Sequence, residues 1–322
     1  MKTNWRGSGW CIAFIAMCLC CRGGDSSTSI TISGAWALYP MMITWSEEYR
    51  KTVPNLTIDV SAGGAGKGIT DVLSGVVDIG MVSRRITTAE RKQGAWYIGV
   101  AKDAVVPVIN DRNPLKAALT RRGITRKEFN RIWLRGEITT WGALLPGADD
   151  HPIHVYTRSD ACGAAETWAA YLGGIQEDLR GIGVFGDPGL AEAVRRDPLS
   201  IGYNNINFAY DAATKLPVIG IYPLPIDMNE NGVIDPSEAI YAHRDAVTTA
   251  IADGRYPSPP SRSLYLVTKG TPRKKIVIAF LSWILSEGQR YAASAGYVPL
   301  TASEIRHETA KLNKGAATAE EQ

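Results

Sequence analysis

Three glycine-bearing segments stand directly before stretches with helical spacing: GAWALYP (residues 34–40), SAGGAGKGI (61–69) and RSDACGAAETW (158–168). A helix start carries N–H groups without intrahelical partners and a partial positive charge, so three converging starts form a cup for a small anion. Arg158 opens the third segment, Ser83, Arg84 and Arg85 follow another strand-like run, and Lys67 lies in the second glycine turn. Their cations would add to such a cup, Arg158 as a two-pronged clamp. No nucleotide fingerprint fits, because GAGKGI lacks the glycine spacing of the Walker A loop.

A second constellation is DMNENGVIDPSE, residues 227–238. It satisfies the calcium-loop template position by position. Asp227, Asn229 and Asn231 offer side-chain oxygens, Gly232 permits the sharp turn, and Val233 offers its carbonyl. Asp235 takes the ninth place and Glu238 the bidentate twelfth. The flanks do not read as two helices, so the expectation is an isolated loop in which Ca²⁺ has a structural role.

Catalysis has no comparable signature. A phosphatase-like Cys-x5-Arg loop at Cys162 fails because the sixth residue after it is Trp168. His151, His154, His243 and His307 show no metal-ligand spacing. The reading is a binding protein rather than an enzyme.

The elements that must hold these groups alternate. TIS, LTIDV and VDIGMVSR read as strands, each leading through a polar or glycine-rich turn; Met42, Trp45 and Tyr49 mark the helix after the first. This β-loop-α order builds a parallel sheet covered by helices, with ligands at the carboxyl ends of the strands. A second α/β series lies between AVVPVI (104–109) and SLYLVTKG (263–270), and strong helical periodicity returns from Lys274. The expected architecture is α/β and two-lobed, with lobe one from 29–108 plus 260–310 and lobe two from 109–259. Two crossings join them, near 107–113 and 256–262, the latter in the Pro-rich YPSPPSR. Residues 311–322 read as a disordered tail.

Composition sets the compartment. The chain has 322 residues, 35 Lys plus Arg against 32 Asp plus Glu, and a formal net charge of +3. Loss of Lys2 and Arg6 with a leader would reduce that to +1, so no global basic field for nucleic acid exists. Cys11, Cys18, Cys20 and Cys21 crowd the start around an apolar run at 10–19, and RGGDSSTS follows. That is a secretory signal over 1–21, with lipidation expected at Cys21 or Cys20 and a tether over 22–28. The protein is expected to be a monomer outside the cytoplasmic membrane, periplasmic or held at the cell surface by a lipid anchor.

In order, SGAWALYPMMITW, SAGGAGKGITDVLSGVVDIGMVSR, VVPVIN, IWLRGEITTW, PIHVYTRSDACGAAETW, AVRRDPLSIGYNNI, YPSPPSRSLYLVTK and GYVPL resemble successive motifs of the periplasmic phosphate-binding proteins of ABC transporters. These are members of the type II periplasmic binding protein superfamily. The resemblance covers nearly all of the chain after the leader. It implies a hinged, two-lobed protein that closes on an oxyanion, phosphate first, and delivers it to an ABC permease.

Family contacts map onto Ala37 and Leu38 in the first loop, Ala65 in the second, Ser83 and Arg84 in the third, and Arg158, Cys162, Gly163 and Ala164 in the fourth. Alanine replaces a hydroxyl residue at 37, 65 and 164, and Arg84 stands where many members have an aspartate. At roughly 1.5–3 kcal/mol per hydrogen bond to a charged group, three lost hydroxyls amount to about 5–9 kcal/mol unless Arg158, Arg84, Arg85 or Lys67 compensates. Competing readings are a receptor for a different anion, an extracellular phosphatase, and a calcium-stabilised adhesion or sensory protein.

Overall fold

The computed structural model describes residues 1–2 and 28–320, with side chains as far as residue 315. The expected leader cleavage, the four leader cysteines and residues 22–27 of the tether lie outside the described residues.

Strand β1 (Thr28–Gly34) pairs in parallel with β2 (Leu56–Ala62) and β3 (Ile79–Val82). Helix α1 (Tyr39–Arg50) follows β1, and α2 (Ala65–Ser74) links β2 to β3. Glycine sets how close α2 comes. A Cβ on Gly68 would lie 2.5 Å from the Met81 carbonyl oxygen and one on Gly80 would lie 2.5 Å from the Gly68 carbonyl oxygen, so α2 rests backbone to backbone on the sheet. Its N-terminus is thereby fixed at the carboxyl end of β1 and β3.

The sheet then continues through strand Ser261–Lys269, β4 (Ala95–Asn110), strand Ser200–Asn205, strand His154–Arg158 and edge strand Ile182–Val184. The sixteen residues of β4 belong to both lobes. Its first part pairs antiparallel with Ser261–Lys269, and its last part with Ser200–Asn205. Ile98, Val100 and Ala101 pack in one core with β1 to β3, whereas Ala104, Val105 and Val106 begin the other. The first crossing is therefore at residues 102–104 rather than 107–113. Pro107 marks no turn, because its carbonyl accepts from the Leu224 N–H at 2.8 Å inside a continuing strand. On the return, buried Tyr256 packs in the second core and Leu264 in the first.

The C-terminal expectation needs a larger correction. Residues 302–320 form a helix, Ala302–Glu320, where disorder was expected from 311. Thr301 and Glu304 cap it reciprocally, at 3.3 Å and 2.9 Å. Leu312 is buried in the first core, and Lys311 lies 4.0 Å from the Tyr97 ring centroid. A tail that looked polar thus has one apolar anchor and one cation that a distant strand receives.

Candidate anion-binding site

The turns singled out by sequence meet at one seam between the lobes. From the first lobe come Ala37 and Leu38 at the start of α1, Ala65 at the start of α2, and Ser83 after β3, all buried. From the second come Arg158 at the end of its strand, and Cys162, Gly163 and Ala164 at the start of helix Gly163–Leu172. The lobes touch here. Gly66 N–H donates to the Ala161 carbonyl across the seam at 3.2 Å. A Cβ on Gly163 would lie 2.3 Å from both the carbonyl and the hydroxyl oxygen of Ser83. The Trp36 indole spans the same seam, edge-on to Phe208 and against Gly186.

Gly163 and Ala164 are the first residues of their helix, so their N–H groups have no intrahelical partner. Leu38 differs, because its N–H donates to the Ala35 carbonyl at 3.0 Å and is not free for an anion. The Cys162 sulfur caps the helix by accepting from Ala165 N–H at 3.4 Å. Burial pushes the Cys162 thiol up to about 12, so it stays protonated and is a poor nucleophile.

Arg158 is the fixed charge of the seam. Its guanidinium donates through Nε and Nη2 to Asp160, at 2.8 and 2.6 Å, and through Nη1 to Asp187 at 2.7 Å. Burial works against its charge, yet Asp187 and Asp160 outweigh that and raise its pKa further. Asp187 is held in turn by the Asn205 amide at 2.6 Å. One N–H on each terminal nitrogen remains outside these bonds.

Two expected cations are directed elsewhere. Arg84 is bidentate to Glu90 in its own lobe, at 2.6 and 3.1 Å, and its Nε lies 3.1 Å from Glu166 of the other lobe. It straps the seam shut instead of lining the cup. Lys67 pairs with Asp71 one helical turn along α2.

The model of the PBP superfamily domain matches residues 23–288. The chain belongs to the PBP superfamily.

Within reach of this superfamily chain are two curated relatives named phosphate-binding protein PstS. The Xylella fastidiosa protein is 26% identical over 315 residues, covering 86% of this chain and 83% of the relative. The Bacillus subtilis protein is 26% identical over 288 residues, covering 88% and 84%. Among solved structures, a Clostridium perfringens protein described as a phosphate ABC transporter substrate-binding protein with bound phosphate superposes with TM-score 0.70 at 24% identity, over 85% of this chain and all of that one. An ABC-type phosphate transport receptor from Vibrio cholerae gives 0.59 at 20%, over 84% and all of that chain. These superpositions establish the type II periplasmic binding fold.

Sequence reasoning missed Asp160 and Asp187, which hold Arg158 in place. Asp160 stands two residues after Arg158, and Asp187 opens a helix after a glycine, so both read as ordinary turn residues. It also missed Arg262, which pairs with buried Asp103 at 2.8 Å and reaches Thr167 at 3.1 Å beside the second crossing.

The expected calcium loop folds tightly upon itself. Asp227 accepts from the N–H groups of Asn231 and Gly232, at 3.2 and 2.9 Å, with Gly232 at φ +79°. Glu238 accepts from Met228, Asn229 and Asp235 N–H at 2.7, 3.3 and 3.1 Å. The Asn229 and Asn231 amides both reach Asp235, and Val233 is exposed. Residues Ile226–Asp227 pair with Ile124–Thr125, which tethers the loop to the second lobe. Among the described residues no three His, Cys, Asp or Glu side chains are gathered as metal ligands.

Proposed function

We propose that this chain captures phosphate between its lobes outside the cytoplasmic membrane and delivers it to the permease of an ABC importer. The observation that carries this is the meeting of the helix starts at 65 and 163 with Ser83 and a buried Arg158 that two carboxylates orient. Positive helix ends and a guanidinium suit a compact oxyanion. The names of the PstS relatives support phosphate as the first choice.

Binding proceeds by closure. An anion held by Arg158 from one lobe and by the α2 start and Ser83 from the other has ligands in place only when the seam is shut, so binding shifts the population toward the closed form. The Arg84–Glu166 strap and the Arg262–Thr167 bond then hold that form. Alanine at 37, 65 and 164 leaves the anion to backbone N–H groups, Ser83 and Arg158. Arg84 stands where many members have an aspartate and accepts no hydrogen bond, so the turn at 83–84 does not demand a proton on the ligand, and sulfate competes more than it would against a carboxylate at 84. Calorimetry on phosphate-stripped protein tests both points. Absence of phosphate binding refutes the reading, and indifference to a large excess of sulfate refutes the tolerance.

The chain acts as a monomer, tethered through an acylated Cys20 or Cys21; mass spectrometry of membrane-extracted protein tests the acylation. No helix among the described residues is long and apolar enough to cross a membrane. The loop at 227–238 takes Ca²⁺ through Asp227, Asn229, Asn231, the Val233 carbonyl, Asp235 and Glu238. Two buried carboxylates, Asp227 and Glu238, take their hydrogen bonds from backbone N–H groups of the loop, and this supports the reading. The ion would staple the loop and leave the anion cup to its own residues.

A further inference from the structure

Behind the cup, where the lobes also touch, one buried cation is left with unmet hydrogen-bond donors. Arg244 begins helix Arg244–Ala252 of the second lobe and is fully buried. Its Nη2 donates to the Ser294 carbonyl of the first lobe at 2.9 Å. Its Nε and Nη1 have no hydrogen-bond partner among the described residues, and neither has Asn207 Nδ2. Asp245 stays 3.8 Å from Nε, beyond hydrogen-bond reach, while bonding Lys215 at 2.6 Å. Both side chains converge on one glycine. A Cβ on Gly296 would lie 2.3 Å from Asn207 Oδ1 and 2.9 Å from Arg244 Cδ and Cζ.

A buried guanidinium whose nearest carboxylate stands 3.8 Å away and is bonded to another cation keeps much of its desolvation penalty, and the positive end of its own helix adds to it. Three nitrogens with N–H bonds to give and no acceptor call for an acceptor. Water would satisfy the donors and leave the charge, whereas an anion answers both. Gly296 closes the site tightly, so a small spherical anion fits better than a bulkier tetrahedral one.

We propose that Arg244 Nε and Nη1 with Asn207 Nδ2 form a second anion site, taking a monovalent ion of halide size between the lobes. It is separate from the cup, whose charge is Arg158. It is linked to it through Tyr297, next to Gly296, whose hydroxyl donates to the Ala37 carbonyl of the first turn at 2.7 Å. Because Arg244 and Asn207 come from one lobe and Ser294 and Gly296 from the other, an ion here favours the closed form.

Crystals of the whole protein soaked in sodium bromide test the position by anomalous scattering. The expected result is a bromide peak within hydrogen-bonding distance of Arg244 Nη1. In solution, the melting temperature should rise with bromide at an ionic strength held constant with gluconate, and the rise should fall to a third or less in Asn207→Leu. That variant keeps the arginine, so the test survives if Arg244→Met fails to fold. A water alone at the guanidinium in the bromide map, or an equal rise in wild type and Asn207→Leu, overturns the proposal. Phosphate calorimetry on the same samples reads the cup independently.

Discussion

Gly163→Ala should hold the lobes apart without harming either. Gly163 has no positive φ to preserve, so alanine suits its helix start, and the nearest atoms to the added methyl belong to Ser83 of the opposite lobe. At 2.3 Å the methyl falls about 1 Å short of ordinary contact with backbone that cannot rotate away. Relieving it opens the seam there and lengthens the Gly66–Ala161 hydrogen bond, 3.2 Å, and the Arg84–Glu166 pair, 3.1 Å. The first contributes about 1 kcal/mol and the second, partly exposed, up to about 1 kcal/mol. Loss of about 2 kcal/mol from the closed form weakens phosphate binding about 30-fold. Calorimetry gives the affinity, and small-angle scattering with saturating phosphate should show the variant less compact than wild type. A melting temperature near wild type confirms that the lobes are intact. Affinity within threefold of wild type, together with full compaction, would refute the assignment of this seam as the closing surface.

Other outcomes follow from the same geometry. Arg158→Met should cost about 3–5 kcal/mol in urea unfolding because it strands Asp187 and Asp160; adding Asp187→Asn should restore much of that stability but not phosphate binding, and binding within threefold of wild type in the double variant would remove Arg158 from the site. Calcium should raise the melting temperature by the equivalent of about 2.7 kcal/mol at a hundredfold excess over its dissociation constant, and Glu238→Gln should abolish the rise; no change on chelating metal-loaded protein would reject the staple. Glu128 is capped by Thr125 and bonded to Arg122, and although burial raises its pKa, those bonds outweigh it and hold the value below normal. Its contribution is present above the unfolded value near 4.3 and lost as pH falls through the lower folded value. Glu128→Gln should therefore cost about 1 kcal/mol at pH 7 and progressively less as pH falls below the unfolded value, and an undiminished loss in acid would show that the ion pair is irrelevant.

Local pattern determined a good deal of this protein. Strand-turn-helix repetition announced an α/β architecture, because helix and strand periods and glycine turns are properties of neighbouring residues. The helix starts at 37, 65 and 163 were legible for the same reason, and the motif order carried the resemblance that the superfamily match and the PstS relatives bear out. Direction and partnership were not legible. Arg84 and Lys67 stand in the right turns, yet Glu90, Glu166 and Asp71 claim their charges, and only folding brings Glu166, 82 positions away, within 3.1 Å of Arg84. Asp187 lies 29 residues from Arg158 and becomes its counter-ion through the packing of its helix on the sheet. A crossing was expected at 107–113, but β4 continues through Pro107 because its partners come from strands about 96 and 115 residues away. Sequence spacing thus set which groups could do the chemistry. Which of them face an anion, and which hold one another, was decided by contacts between segments that share no local pattern, because burial, distance and counter-ions are set by residues far apart in the sequence.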